Sequence, residues 1–294
     1  MRKKISYRIL NIGLRLGLTL MVSAGVAKAQ GYATTTPTQT DIYCSGLITD
    51  QAVPRDIYVI SGEDSRYKTT FREGDSIYIN RGAEQGVKVG DEFEVIRPVS
   101  DMMANTVWFK YQTMLSRAMG TRYADIGRLR VVHVDPKTST TQMDVTCDLM
   151  QRGDIVRPFA ARPAPQFHDV KFDPFAAPSG KKTAMVVTGK NYAVQTGPGR
   201  IIYVNLGSAQ GVRVGDYFRV FRYQGTRIES LAQVKDTAYK AYGFGSAPVA
   251  YEWNNLPRQV LGEGMVLRTG PNSSTVILTT AREEIFIGDY VEVE

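Results

Sequence analysis

The stretch "IYINRGAEQGVKVGDEFEVIR", Ile77 to Arg97, recurs in the same chain as "IYVNLGSAQGVRVGDYFRVFR", Ile202 to Arg222. Of the 21 aligned positions, 13 are identical, and neither copy carries an insertion or deletion. The match continues downstream, where "IGRLRVVHVDPKTSTTQ" from Ile126 aligns with "LGEGMVLRTGPNSSTVI" from Leu261, and "GDIV" at Gly153 with "GDYV" at Gly288. The offset between copies is 125 residues in the first part (202 − 77) and 135 in the second (261 − 126). The chain therefore reads as two copies of one module.

Within each copy the pattern is that of strands. "SIYIN", "DEFEVIR", "GRLRVVHV" and "TTQMDVTC" are short β-branched or aromatic runs bounded by Gly, Asp and Pro, which is how strands are punctuated. No segment inside the repeat offers a long helical period. Gly-Asp pairs stand at recurrent places: Gly90-Asp91 and Gly153-Asp154 in the first copy, Gly215-Asp216 and Gly288-Asp289 in the second. Glycine supplies the positive φ of a tight turn, and the carboxylate accepts hydrogen bonds from turn amides. These pairs read as structural corners of a small barrel, whose closure removes exposed edges. The expected fold class is all-β: two tandem small β-barrel modules, preceded by a signal peptide.

That leader is read from "MRKKISYR", a basic n-region, and "LGLTLMVSAGVA", an apolar h-region ending in the small-x-small pattern Ala27-Lys28-Ala29. An uncleaved anchor is the alternative, but Arg15 interrupts the run and leaves it short of the roughly 20 residues a span needs. The division that follows is residues 1–29 signal peptide, 30–41 Thr-rich tail, 42–158 first module, 159–182 Pro/Ala-rich linker and 183–294 second module. The linker "RPFAARPAPQFHDVKFDPFAAPSGKK" reads as an extended, semi-rigid spacer. Removing the leader takes away six basic residues and no acidic ones, so the net charge drops from +7 to 36 − 6 − 29 = +1. The basicity belongs to the leader, and no nucleic-acid partner is expected. No transmembrane span is expected after cleavage.

Cys44 and Cys147 are the two cysteines. In an exported chain an even count favours a disulfide, with two buried thiols as the rival. A lipidated Cys44 fits badly, since "TDIYC" lacks a small residue before the cysteine. His133 and His168 are the only histidines, one in a strand-like run and one in the linker. No metal set, cofactor site or catalytic residue is expected: there is no GxSxG, no GxxxxGK[ST] and no Gly-rich turn before a helix. A carboxylate-based hydrolase stays open, because spatial pairing of Asp and Glu is invisible in a sequence.

Two intervals break the repeat, Pro98 to Asp125 and Tyr223 to Val260. They hold Trp108, Phe109 and Tyr111 in the first, and Tyr239, Tyr242, Phe244, Tyr251 and Trp253 in the second. Aromatics are frequent interface anchors, and insertions on a fixed scaffold are where binding tends to live; these eight are the candidate partner-binding residues. Their bland reading is cover for a barrel end or for the other module.

At "IYINRG…QGVKVGDEFEV", "IGRLRVVHV" and the closing "GDIV", the chain resembles the C-terminal domain of flagellar assembly protein T. The resemblance is present in both copies and implies a small β-barrel module in the bacterial envelope, without catalytic residues. The functional expectation is an exported, non-enzymatic scaffold or adaptor binding other envelope or surface-assembly proteins, in the periplasm, at the outer membrane or at the cell surface. Two modules on a spacer would engage two sites at once. Cell-wall glycan (peptidoglycan) binding through exposed aromatics is the first alternative, and the hydrolase the second.

Overall fold

The computed structural model describes residues 36–100, 106–169, 172–224 and 256–294, together with the backbone of 240–241 and 249–250. The first sheet is built from β1 (Leu47–Thr49), β2 (Val59–Gly62), β3 (Ser76–Ile79), β4 (Glu92–Pro98), β5 (Thr121–Val134), β6 (Ser139–Thr146) and β7 (Ile155–Pro158). The second uses β8 (Thr183–Gly189), β9 (Ile201–Val204), β10 (Tyr217–Arg222), β11 (Gln259–Thr269), β12 (Ser274–Ala281) and β13 (Tyr290–Val293).

The second sheet is a closed six-stranded barrel in the order β8-β9-β12-β11-β10-β13. The first follows the same path, β2-β3-β6-β5-β4-β7, with β1 added alongside β5. Cross-strand pairs correspond at the two sequence offsets: Tyr78↔Thr140 and Tyr203↔Thr275, Glu92↔Arg130 and Tyr217↔Met265. Even the irregularity on β4 and on β10 falls at matching places, Val95/Ile96 and Val220/Phe221.

Two expectations are corrected. The first module is a curled sheet and not a closed barrel: its ends meet at the single bridge Tyr58↔Ile155, flanked by bonds such as Gly153 N to Val59 O at 2.8 Å. In the second barrel β8 and β13 pair over Thr183↔Glu292 to Met185↔Tyr290. The chain entering β2 carries Pro54, and β7 ends at Pro158; proline cannot donate to a ladder and belongs at edges. Nor is the chain wholly β. Helix α1 (Gln39–Tyr43) is nucleated by a capping box between Thr38 and Asp41, inside the stretch read as a Thr-rich tail. Helix α2 (Gln112–Met119) occupies the first insertion and stops at Gly120.

The Gly-Asp corners are built alike. Gly90, Gly153, Gly215 and Gly288 have φ of +94, +83, +92 and +95°, a region costly for any residue with a Cβ. The following carboxylate accepts the amide three residues back: Lys88 N to Asp91, Gln151 N to Asp154, Arg213 N to Asp216 and Phe286 N to Asp289, all at 2.7–2.9 Å. Asp154 and Asp289 also take a two-pronged arginine, Arg97 and Arg222 respectively, at 2.7–2.8 Å.

Each sheet encloses its own core, with Ile77, Ile79, Phe93, Val95 and Leu129 in the first and Ile202, Val204, Phe218, Val220 and Val276 in the second. A third cluster lies outside the second barrel, where Ile48 of β1 and Met119 of α2 pack on Val187, Tyr203, Met265, Leu267 and Ile277. Residues 36–294 form part of one compact unit. The Cys44–Cys147 disulfide, with Cα atoms 5.3 Å apart, pins the start of the strap that leads into β1. Such a bond fits an oxidising, extracytoplasmic compartment. No helix among the described residues is long and apolar enough to cross a membrane.

Candidate functional site

The first insertion sends its aromatics in two directions. Phe109 is buried with the second barrel's core residues and Trp108 packs half-buried beside it, while Tyr111 is exposed. Gln112 fastens the segment, accepting the Trp108 amide at 2.7 Å and donating to Val187 O at 3.2 Å. Tyr239, Tyr242, Phe244, Tyr251 and Trp253 lie outside the described side chains.

A polar knot joins the strap, the linker and both sheets. The buried Asp125 carboxylate accepts Gly46 N at 2.7 Å, Arg162 at 3.1 Å and Arg268 of the second barrel at 3.2 Å. Arg162 reaches on to Glu94 at 2.7 Å and Ile42 O at 2.9 Å. Burial pulls the Arg268 pKa down, against the opposing pull of Asp125. The segment read as a spacer is thus anchored at Arg162, and again at Phe172, which packs against the second core. A group buried this way is costly to leave half-paired, so the knot specifies how the two sheets meet.

A second polar cluster has no counterpart in the sequence reading. On the second barrel β10 and β11 place Arg219 opposite Glu263, and Glu294 continues from β13 with its amide on Tyr217 O at 3.0 Å. The linker passes over this end. His168 donates its amide to Tyr217 Oη at 2.9 Å, and its ring stacks on Tyr217 with centroids 3.5 Å apart. That stacking leaves His168 Nε2 3.6 Å from Glu263 Oε2. One donor atom each from His168, Glu263 and Glu294 lies within 4.8 Å of the others.

The charges here are unevenly satisfied. Arg219 pairs with Glu294 at 2.8 Å and with Glu292 at 3.2 Å. Glu263 is only 6% exposed, and its Oε2 accepts no hydrogen bond. Burial first, and then the neighbouring Glu294, push the Glu263 carboxyl up to about 7. Burial likewise raises Tyr217. Two adjacent carboxyls are also what a carboxylate hydrolase requires, but the inner one is buried and the outer one is held by arginine. His133, by contrast, is exposed beside Asp135 at 3.6 Å.

The signal for this cluster was present in the alignment of the copies. At the offset of 135 the first module has Arg128 and Phe159 where the second has Glu263 and Glu294. In the first module the Arg128 guanidinium lies 5.8 and 4.9 Å from the Tyr43 and Phe159 ring centroids, a cation held by aromatic faces. At these two positions the second module replaces a cation and an aromatic ring with carboxylates, beside which the linker sets an imidazole. Compared with known proteins, the chain matches no family model, and no curated sequence matches it.

Proposed function

We propose that this chain is an exported, non-enzymatic scaffold or adaptor of the bacterial envelope, docking other envelope or surface-assembly proteins. The observation that carries this reading is one sheet face left uncovered by the described residues, on a fixed two-sheet body. The strap and α2 cover the outer face of the second barrel, while the corresponding face of the first sheet exposes Tyr58, Ile60, Tyr78 and Val132 among polar residues. Interfaces combine aromatic anchors with a polar surround in this way. The buried knot at Asp125 removes the freedom of a flexible pair, so a partner meets a pre-formed surface and ordering costs little on binding. The disulfide and the leader support export. The resemblance of the repeated sequence pattern to the C-terminal domain of flagellar assembly protein T supports an envelope location, and duplication of one module accounts for the two sheets.

The test is photo-crosslinking in living cells, with the reactive residue placed at Tyr78, at Trp253 in the second insertion, or in the Thr-rich tail as control. The expected result is one discrete protein adduct from Tyr78 or Trp253 and none from the tail. Absence of an adduct from exported, oxidised protein overturns the reading. Retention on purified peptidoglycan that Tyr78→Ala abolishes would assign the face to glycan instead.

A further inference from the structure

We propose that His168, Glu263 and Glu294 form a binding site for a divalent first-row cation such as zinc. The first argument is geometric. Nitrogen and oxygen ligands sit about 2.0–2.2 Å from zinc, so two of them at tetrahedral corners lie about 3.4 Å apart, and His168 Nε2 and Glu263 Oε2 are 3.6 Å apart. Glu294, whose Oε1 pairs with Arg219 at 2.8 Å, completes a set whose donor atoms fall within 4.8 Å of one another. The second is chemical. One imidazole and two carboxylates make a mixed nitrogen and oxygen set, suited to zinc more than to calcium or magnesium, which take oxygen alone.

The third argument comes from what surrounds the set. Glu263 is more than nine-tenths buried, and its Oε2 points into the cluster without a donor. A buried carboxylate oxygen without a partner is costly, and the nearest arginine, Arg219, is committed to Glu292 and Glu294. At the corresponding place in the first module the positive charge is supplied by Arg128 between Tyr43 and Phe159. The second module has given up that internal cation and gathered ligands for an external one. Tyr217 serves as a positioning residue: its ring packs on the imidazole, and its hydroxyl accepts the His168 amide. Because His168 belongs to the linker and Glu263 to the barrel, the bound ion also ties the linker down.

The experiment is titration of the purified, oxidised chain with zinc by calorimetry, repeated with cobalt(II), whose visible absorption reports its ligands. We expect one ion per chain. Affinity should fall by more than the roughly 10- to 100-fold typical of losing a supporting contact in both His168→Ala and Glu263→Gln, and be unchanged in His133→Ala. No binding by the wild-type chain overturns the proposal, as does binding that survives both substitutions or is lost in His133→Ala. Should Glu263→Gln fold poorly, His168→Ala decides alone, since that side chain is half-exposed in the linker. Selective broadening of the His168 imidazole NMR resonances by cobalt is the independent readout in the unmodified chain.

Discussion

The two sheets share a path, a register and a set of corners, yet they treat their outer faces in opposite ways. Along Ser76–Ile79 burial alternates, with Ile77 and Ile79 inside and Tyr78 out; along Ile201–Val204 every residue is buried. The outer positions explain this. Ser76, Glu92, Arg130, Val132 and Gln142 in the first module stand where the second has Ile201, Tyr217, Met265, Leu267 and Ile277. The first set carries a solvent-facing charge ladder, with Arg130 on Asp144 at 2.6 Å and on Glu92 at 3.3 Å. The second set lies under Ile48 and Met119. Ile77/Ile202, Phe93/Phe218, Val95/Val220 and Val131/Val266, common to the copies, point inward and define the fold, while the outer positions that differ record whether a neighbour or water lies outside.

The largest effect expected from breaking this asymmetry comes from the disulfide, which anchors the covering strap. Cys44 and Cys147 are 103 residues apart, and a loop near that size is worth about 4 to 5 kcal/mol of chain entropy. Replacing both with serine should lower the urea midpoint accordingly. It should also raise amide exchange on β9 and β12 of the second barrel, which contains neither cysteine. Exchange changes confined to the first sheet would show that the strap is held by its other contacts alone.

Next in size is the contrast between matched positions on the two outer faces. Leu267 is 2% exposed and Val132 is 40% exposed at the corresponding place. Leu267→Ala should cost about 2 to 4 kcal/mol, whereas Val132→Ala should stay within about 0.5 kcal/mol, as exposed changes usually do. Equal losses in denaturant unfolding would mean that the two faces are equally covered in solution.

Much of this architecture was legible in the sequence. The repeat, the strands and the Gly-Asp corners follow from 13 matches in 21 positions and from turn chemistry that acts within four residues. The covered face was legible as well: "IIYV" and "STVIL" are continuous apolar runs where the first copy has "SIYI" and "STTQM", the mark of a strand buried on both sides. Helix α2 was hidden because eight residues give little periodicity; Leu115 and Met119, four apart, owe their contacts to the neighbouring barrel. The failure of the first sheet to close was hidden for another reason, since it depends on the two end strands meeting only at the bridge Tyr58↔Ile155 and not on any pattern inside the strands. The His168 cluster joins residues 95 and 31 positions apart (263 − 168 and 294 − 263), and only the barrel register together with the linker's contact with Tyr217 brings them together.

The smallest effect, and the sharpest probe of the covered face, concerns Tyr203. Its hydroxyl donates to Ser45 O at 2.7 Å beneath the strap, where a Cβ on Gly46 would lie 2.4 Å from the Tyr203 hydroxyl oxygen. Burial pushes its pKa up to about 12 from an ordinary 10. The folded state therefore holds the phenolic proton that the unfolded chain releases, so this contribution is fully present below pH 10 and is lost as pH rises toward 12. Near neutrality Tyr203→Phe should cost about 1 kcal/mol, one buried hydrogen bond. By pH 11 the wild-type chain has lost about 1.4 kcal/mol through a titration the variant lacks, so the two stability curves should meet close to that pH. Parallel curves between pH 8 and 11 would show that water reaches Tyr203 and that the strap does not seal the face it covers.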